Sequence, residues 1–414
     1  MFISIHFIDY DIERRWDVSI LFTPINLGNI QIKNRFIQSA TYEVMAAETG
    51  EVSDKLIKRY QRLAKGEVGL IIPGYMYVHP LGRSYKHQTG IHNDAMIPGL
   101  RRLVETVHKE GAKIVFQLAH AGRQTTKSMI GETPLGPSSS GRNPITFIKP
   151  KEMRADQIEE VIQAFAIATN RAVEAGVDGI QLHAAHGYLI NQFISPFFNH
   201  RKDDWGGSDA NRFRFLKEVL SEVKKVLPQG MPVFVKLNTH DYTPREGITP
   251  SLAVTYARWL AELAIDGLEI SCGSPVYSFM NMCRGDVPVK ELVNSLPFWK
   301  KPLGKLMLRS MVGKYNFEGG YNIEAAKMIK PVLGKTPLFL VGGLRQVAEM
   351  EDVLEKKYAD CISMSRPFIR EPFIVKKIKE GNAKAVACVS CNRCLAAVTH
   401  NIPVQCYNKG LPES

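Results

Sequence analysis

The chain lacks any apolar run near the ~18 residues that a membrane span requires, so no spanning segment and no membrane partner are expected. It is also poor in cysteine, with seven in 414 residues, which excludes a disulfide-stapled scaffold. Basic residues are in excess, giving a formal net charge of +12, but they do not cluster with aromatics. No nucleic-acid partner is expected from so diffuse a distribution. The same charge suits small anionic ligands that carry phosphate. No repeat of 20–50 residues is visible, which argues against a solenoid or propeller. The opening MFISIHFIDYDIERRWD is apolar for too short a distance and carries Asp9, Asp11 and Glu13. It makes a poor signal peptide, and a cytoplasmic location is expected.

With 45% hydrophobic and 23% charged residues, the chain is an ordinary globular sequence with a sizeable core. Short β-branched runs alternate with helical stretches, the pattern of a parallel sheet with crossover helices. Strands are predicted over 35–40, 69–76, 113–118, 177–182, 232–237, 267–271, 338–341 and 361–364. Helices are predicted over 53–65, 95–110, 155–175, 211–226, 251–264, 323–330 and 346–356. Eight such units imply an α/β fold of the closed (β/α)8 TIM barrel type, with its chemistry on the loops after the strands. The division expected is an N-terminal extension over 1–20, a barrel over 21–380 with a loop-rich insertion over 272–321, and a cysteine-rich tail over 381–414.

One stretch organises the rest: Gln181-Leu-His-Ala-Ala-His-Gly-Tyr-Leu-Ile-Asn-Gln-Phe-Ile-Ser-Pro196. It places His183, His186 and Tyr188 at the C-terminal mouth of the fourth strand. Two imidazoles and a phenol there can donate hydrogen bonds to a carbonyl oxygen and deliver a proton. A pair of structural loop histidines, or half of a zinc site, has the same spacing. Zinc needs further ligands, and none stands nearby at a ligand spacing. Gly342-Gly343 follows strand seven and Ser365-Arg366 follows strand eight, where such barrels recurrently hold phosphate. Lys236 lies in an apolar strand, which is costly without an anionic partner. Gln117 ends strand three, and its amide can be structural or can pair with a ligand.

The segment HAAHGYLINQFISPFFNHRKDDWGGS, 183–208, resembles the old yellow enzyme family of flavin-dependent oxidoreductases. Asn34-Arg35, FQLAHAGR over 116–123 and the phosphate loops match in the same order. The branch most similar holds single-domain ene-reductases and 2,4-dienoyl-CoA reductase. The resemblance implies flavin mononucleotide (FMN), reduced by NADH or NADPH and reoxidised by an activated alkene. It implies that His183 and His186 hold the substrate carbonyl and that Tyr188 gives the proton. Gly343, Ser365 and Arg366 are expected at the flavin phosphate, with Gln117 and Lys236 at the pyrimidine edge of the ring. Ser39, Ala40, Thr41 and Tyr42 are expected beside the ring. Here the chain departs from the family's Pro-Met-Thr or Pro-Met-Cys, so the side chain near the C4 carbonyl is Tyr42, or Thr41 if the loop shifts. Gly74 or Tyr75 is expected at the strand-two exit, with the choice open. His120 and Arg123 are at least as well explained as loop structure.

In the tail, Cys388, Cys391, Cys394 and Cys406 resemble the iron–sulfur motif of the dienoyl-CoA reductase branch. That branch has one more residue between its second and third cysteines. A tetranuclear (4Fe–4S) cluster, a structural zinc and metal-free thiols all remain open. The resemblance thus implies an NAD(P)H-dependent ene-reductase as the first reading. A dienoyl-CoA reductase-like or demethylase-like flavoprotein, fed by an electron-transfer partner through a cluster, is the alternative. The loop Cys272–Tyr277 carries no His to match that branch's second proton donor, which disfavours a CoA thioester substrate. A non-enzymatic flavin-binding redox protein and a flavin-free barrel lyase complete the alternatives. A homo-oligomer is compatible with each.

Overall fold

The computed structural model describes residues 19–412. Most of the expected extension over 1–20 therefore lies outside the described residues. Eight parallel strands close into a ring: β1 (Phe36–Gln38), β2 (Leu70–Ile71), β3 (Lys113–Ala119), β4 (Gly179–Ala184), β5 (Val233–Asn238), β6 (Gly267–Ser271), β7 (Leu338–Val341) and β8 (Cys361–Met364). Each pairs with the next, and β8 closes on β1 through Ile362 opposite Phe36. Helices follow the strands in turn: α1 (Asp54–Lys65), α2 (Ile97–Lys109), α3 (Ala155–Glu174), α4 (Asp209–Val226), α5 (Pro250–Glu262), α6 (Ile323–Ile329), α7 (Val347–Glu355) and α8 (Ile374–Lys379). The expected (β/α)8 barrel is the fold found.

Local chemistry explains the helix starts. Ser53, Ser208 and Thr249 accept hydrogen bonds from the backbone N–H groups of Leu56, Asn211 and Leu252 at 3.2–3.3 Å. Each cap contributes about 1 kcal/mol. The apolar faces of the helices cover the outside of the ring in one large cluster. A second cluster fills its interior, where Phe234 and Phe339 meet edge to face at 5.2 Å. The antiparallel hairpin Ile25–Leu27 and Ile30–Ile32 adds Leu27 and Ile32 to this inner cluster. With the interior filled, ligand space lies at the strand ends.

Two expectations need correction. The predicted strand over 69–76 is two pieces, Leu70–Ile71 and Met76–Tyr77, because Pro73 lacks the N–H that a continuous ladder needs. Strand four runs to Ala184, so His183 lies inside β4, opposite Lys236 of β5, and not after it. The insertion over 272–321 carries three short helices between its loops, Phe279–Met282, Val289–Asn294 and Lys301–Met311.

The tail crosses the C-terminal mouth of the barrel. The Val386 N–H bonds to the Arg345 carbonyl at 2.9 Å and the Val404 N–H to the Glu43 carbonyl at 2.8 Å. The Asn392 amide donates to the Cys283 and Asp286 carbonyls at 2.8 and 3.0 Å, tying tail to insertion.

Candidate active site

A cleft of about 1250 Å³, its open mouth included, lies over the strand ends. Every predicted flavin-side residue except Gly74 lines it, as do His183, His186 and Tyr188. Gly74 instead sits behind the wall. Its N–H donates to Glu43 Oε1 at 2.7 Å, and that buried carboxylate also accepts from the Tyr60 hydroxyl. Tyr75 therefore faces the cleft at the strand-two exit. His120 and Arg123 stay out of it. The Arg123 guanidinium donates to the Ser140 and Gly141 carbonyls at 3.1 and 3.0 Å.

A chain of buried polar groups runs along the floor. The Gln117 amide donates to Gln181 Oε1 at 2.6 Å, and the Gln181 amide donates to Glu269 Oε2 at 3.0 Å. Glu269 Oε2 lies 3.3 Å from Lys236 Nζ, which donates to Ser39 Oγ at 2.8 Å. Glu269 went unnoticed in the sequence, where GLEIS reads as one more apolar strand. Its register partner is Lys236, so it supplies the anionic neighbour that a buried lysine needs.

The catalytic-looking face stands above this floor. The rings of His183 and His186 meet edge to face at 5.1 Å, and Tyr188 lies 4.9 Å from His183. Burial, with Lys236 adding positive charge nearby, holds both imidazoles well below the usual histidine range, so they stay neutral. Burial and the neighbouring Tyr85 push the Tyr188 phenol well above its ordinary value, so it keeps its proton. Tyr188 donates to the Tyr75 hydroxyl at 2.7 Å, and His186 Nε2 lies 2.7 Å from Ser271 Oγ.

The downstream sequence shapes the loop. His186 adopts φ +61°, an uncommon conformation for a residue with a side chain. Its N–H donates to Asn238 Oδ1 at 3.2 Å, and its carbonyl accepts from the Gln124 amide at 2.6 Å. Asn191 Oδ1 accepts from the Gly187 N–H at 2.7 Å, and the Gln192 amide donates to the Gly187 carbonyl at 2.7 Å. Gly187 itself sits at φ +73°, where a Cβ would meet Gln124 Nε2 at 2.6 Å.

At the other end, Gly342 and Gly343 turn with φ +151° and +82°. A Cβ on Gly343 would meet the Tyr321 ring at 2.7 Å and the Glu318 carbonyl at 2.9 Å. Ser365 Oγ is 2.6 Å from Thr41 Oγ1, so Thr41 belongs to this end. Tyr42 instead stacks on Tyr85 at 5.0 Å and walls the ring side. Arg366 Nη1 donates to Asn392 Oδ1 at 2.7 Å and to the Arg284 carbonyl at 2.9 Å, which leaves its other nitrogens for a ligand.

The donor set fits a phosphorylated planar cofactor such as FMN. Buried Tyr42 Oη, His183 Nδ1 and Ser363 Oγ have no hydrogen-bond partner among the described residues, although each belongs to a residue lining the cleft. The glycine turn and Arg366 suit a phosphate. Tyr42, Tyr75 and Tyr85 supply flat apolar walls.

Cys388, Cys391, Cys394 and Cys406 line a second, smaller pocket that shares Arg366, Ile369 and Cys394 with the cleft. All four are free thiols, and burial pushes Cys394 up to about 12. Among the described residues no three His, Cys, Asp or Glu side chains stand close enough to hold a single metal ion.

The model of the NADH:flavin oxidoreductase / NADH oxidase family matches residues 20–285. An NADH oxidase of Thermoanaerobacter brockii is 33% identical over 393 residues, which are 93% of this chain and 55% of that protein. An NADPH dehydrogenase of Bacillus subtilis (strain 168) is 33% identical over 357 residues, 86% of this chain and 93% of that protein. Among solved structures, a 2-naphthoyl-CoA reductase in complex with 2-naphthoyl-CoA superposes with a TM-score of 0.81 at 27% identity, covering 94% of this chain and 56% of that one. The chain thus spans about half the length of the first and third of these proteins and nearly all of the second. By sequence and fold together, the chain belongs to the NADH:flavin oxidoreductase / NADH oxidase family.

Proposed function

We propose that this chain is an FMN-dependent oxidoreductase that reduces activated carbon–carbon double bonds, with NADH or NADPH as donor. One observation carries the reading: two neutral imidazoles and a protonated phenol converge on a cleft whose far end is a glycine turn beside an arginine. FMN, when bound, supplies hydride transfer between the nicotinamide donor and the alkene. Gly343, Ser365 and Arg366 would hold its phosphate. Lys236 and Gln117 would meet the pyrimidine edge, with Ser39, Ala40, Tyr42 and Tyr75 flanking the ring and Thr41 beside Ser365 toward the phosphate. His183 and His186, each with one N–H, bind the carbonyl oxygen of an enone or enoate and draw electron density from the double bond. Tyr188 delivers its proton to the α-carbon, oriented by its hydrogen bond to Tyr75.

In this reading residues 21–380 form the FMN-binding barrel, 381–414 a cysteine-rich tail and 1–20 an extension, in a cytoplasmic enzyme. The four cysteines around one pocket favour a second reading beside the first. There they would hold a 4Fe–4S cluster, which would supply one-electron transfer from a protein partner to the flavin, as in a dienoyl-CoA reductase-like or demethylase-like flavoprotein. The family resemblance also admits a homo-oligomer.

Anaerobic mixing separates the two. Bleaching of the flavin band by NADH or NADPH alone, followed by recovery on adding cyclohexenone, supports the first reading. A flavin that only dithionite or a reduced iron–sulfur protein bleaches supports the second. A flavin that is bleached yet never recovers with any enone removes the ene-reductase assignment.

A further inference from the structure

The helix Lys301–Met311 in the insertion is unusually apolar on its outside. Only Gly304 and Leu308 are buried, whereas Leu303 and Leu306 are 73% and 69% exposed. Met307 continues the stripe at helical spacing, and Ser310 ends it. Immediately before the helix, Phe298 and Trp299 are 83% and 64% exposed. The loop from β3 joins the same patch: Lys300 Nζ lies 4.6 Å from the Phe147 ring, 4.8 Å from the Trp299 ring and 3.2 Å from the Ile145 carbonyl. Ile145 and Phe147 are themselves about half exposed.

Charge identifies the occupant. Between Phe298 and Phe317 the chain carries Lys300, Lys301, Lys305, Arg309 and Lys314 and no acidic residue. Lys301, Lys305 and Arg309 recur every fourth position, so they form a basic stripe beside the apolar one. The nearest acids of the insertion are engaged elsewhere, Glu318 with Arg284 and Glu291 with Arg393. Exposed leucines and a tryptophan flanked by a purely cationic stripe are the makeup of a helix that lies in a membrane interface. Among the described residues no helix is long and apolar enough to cross a membrane, but lying on one needs no such helix.

We propose that this helix, with Phe298, Trp299 and Phe147, docks the protein reversibly on an anionic lipid surface. The insertion follows β6 at the C-terminal end of the barrel, and its Met282 and Cys283 line the cleft. Docking therefore brings the cleft's end of the molecule to the bilayer, where apolar substrates collect. The inference rests on the surface alone and stands whether or not the catalytic reading does.

Flotation of the full-length protein with lipid vesicles is the test. Protein should float with vesicles of phosphatidylcholine mixed with phosphatidylglycerol, and not with phosphatidylcholine alone. High salt should release it. Lys301→Gln and Lys305→Gln should each lower the partition coefficient about fivefold. Leu303→Ser with Leu306→Ser should lower it about tenfold or more. Leu303, Lys305 and Leu306 are exposed and Lys301 is half-buried at the start of the helix, so circular dichroism should stay unchanged in every variant. Equal flotation with both lipids, or none with either, overturns the proposal. So does sedimentation showing a dimer that the leucine variant dissociates, because the patch would then be covered by a second copy.

Discussion

Lys236 Nζ and Glu269 Oε2 face each other at 3.3 Å inside the barrel, almost wholly shut off from solvent. Losing one partner of such a pair leaves a buried charge uncompensated, which costs about 3–5 kcal/mol. Glu269→Ala should lower the free energy of unfolding in urea by that amount. The double variant Lys236→Met with Glu269→Gln should recover most of it. The double variant should still bind FMN about 10- to 100-fold more weakly, because a charged hydrogen bond to the ring edge is gone. Unchanged FMN affinity would remove Lys236 from the cofactor site.

Tyr188→Phe separates proton delivery from everything else in the cleft. The phenol's removal should slow reoxidation by an enone about 100- to 10,000-fold while leaving flavin bleaching by the nicotinamide donor near the parent rate. Stopped-flow absorbance of the two half-reactions measures both. Equal slowing of both halves would assign Tyr188 to cofactor binding.

Stability should depend on pH through three buried histidines. Burial holds His120 down at about 3, and His183 and His186 also lie well below the ordinary range. Unfolded, each takes a proton near pH 6.5. Between that value and the folded one the unfolded chain binds more protons, so stability rises with pH. The urea midpoint should therefore fall as pH drops below about 6.5. The loss should continue toward about 3 for His120. Carboxylates paired with lysine and arginine contribute in the same direction only at lower pH. His120→Gln should accordingly flatten the upper part of the curve.

Gly343→Ala tests the phosphate end. A Cβ at φ +82° is strained and would press on the Tyr321 ring at 2.7 Å. The turn must open, so retention of FMN should drop at least about tenfold while free riboflavin, which lacks the phosphate, is affected less. Equal losses for both ligands would place the phosphate elsewhere.

Much of the site could be read from the sequence because its residues stand in short contiguous motifs that resemble those of the old yellow enzyme family. His183, His186, Tyr188, Gln117 and Lys236 all arrive in one cleft as expected. What escaped depends on neighbours far apart in the chain. Glu269 meets Lys236 only through the register of β5 and β6, and nothing in GLEIS marks that meeting. Gly74 and Tyr75 are adjacent, yet buried Glu43 decides which of them faces the cleft. The helix Lys301–Met311 was hidden because its leucines point to solvent, so the usual alternation of inward apolar and outward polar residues is missing. The four tail cysteines stood out at once, whereas the docking of Asn392 against Cys283 and Asp286 had no local signal.

A phosphorylated flavin lying in the cleft between Gly343 and His183 is the central requirement of the proposed function. Folded protein incubated with excess FMN, then gel-filtered, should retain about one flavin per chain and show a visible flavin band. Colourless protein that is well folded by circular dichroism and retains none would contradict it.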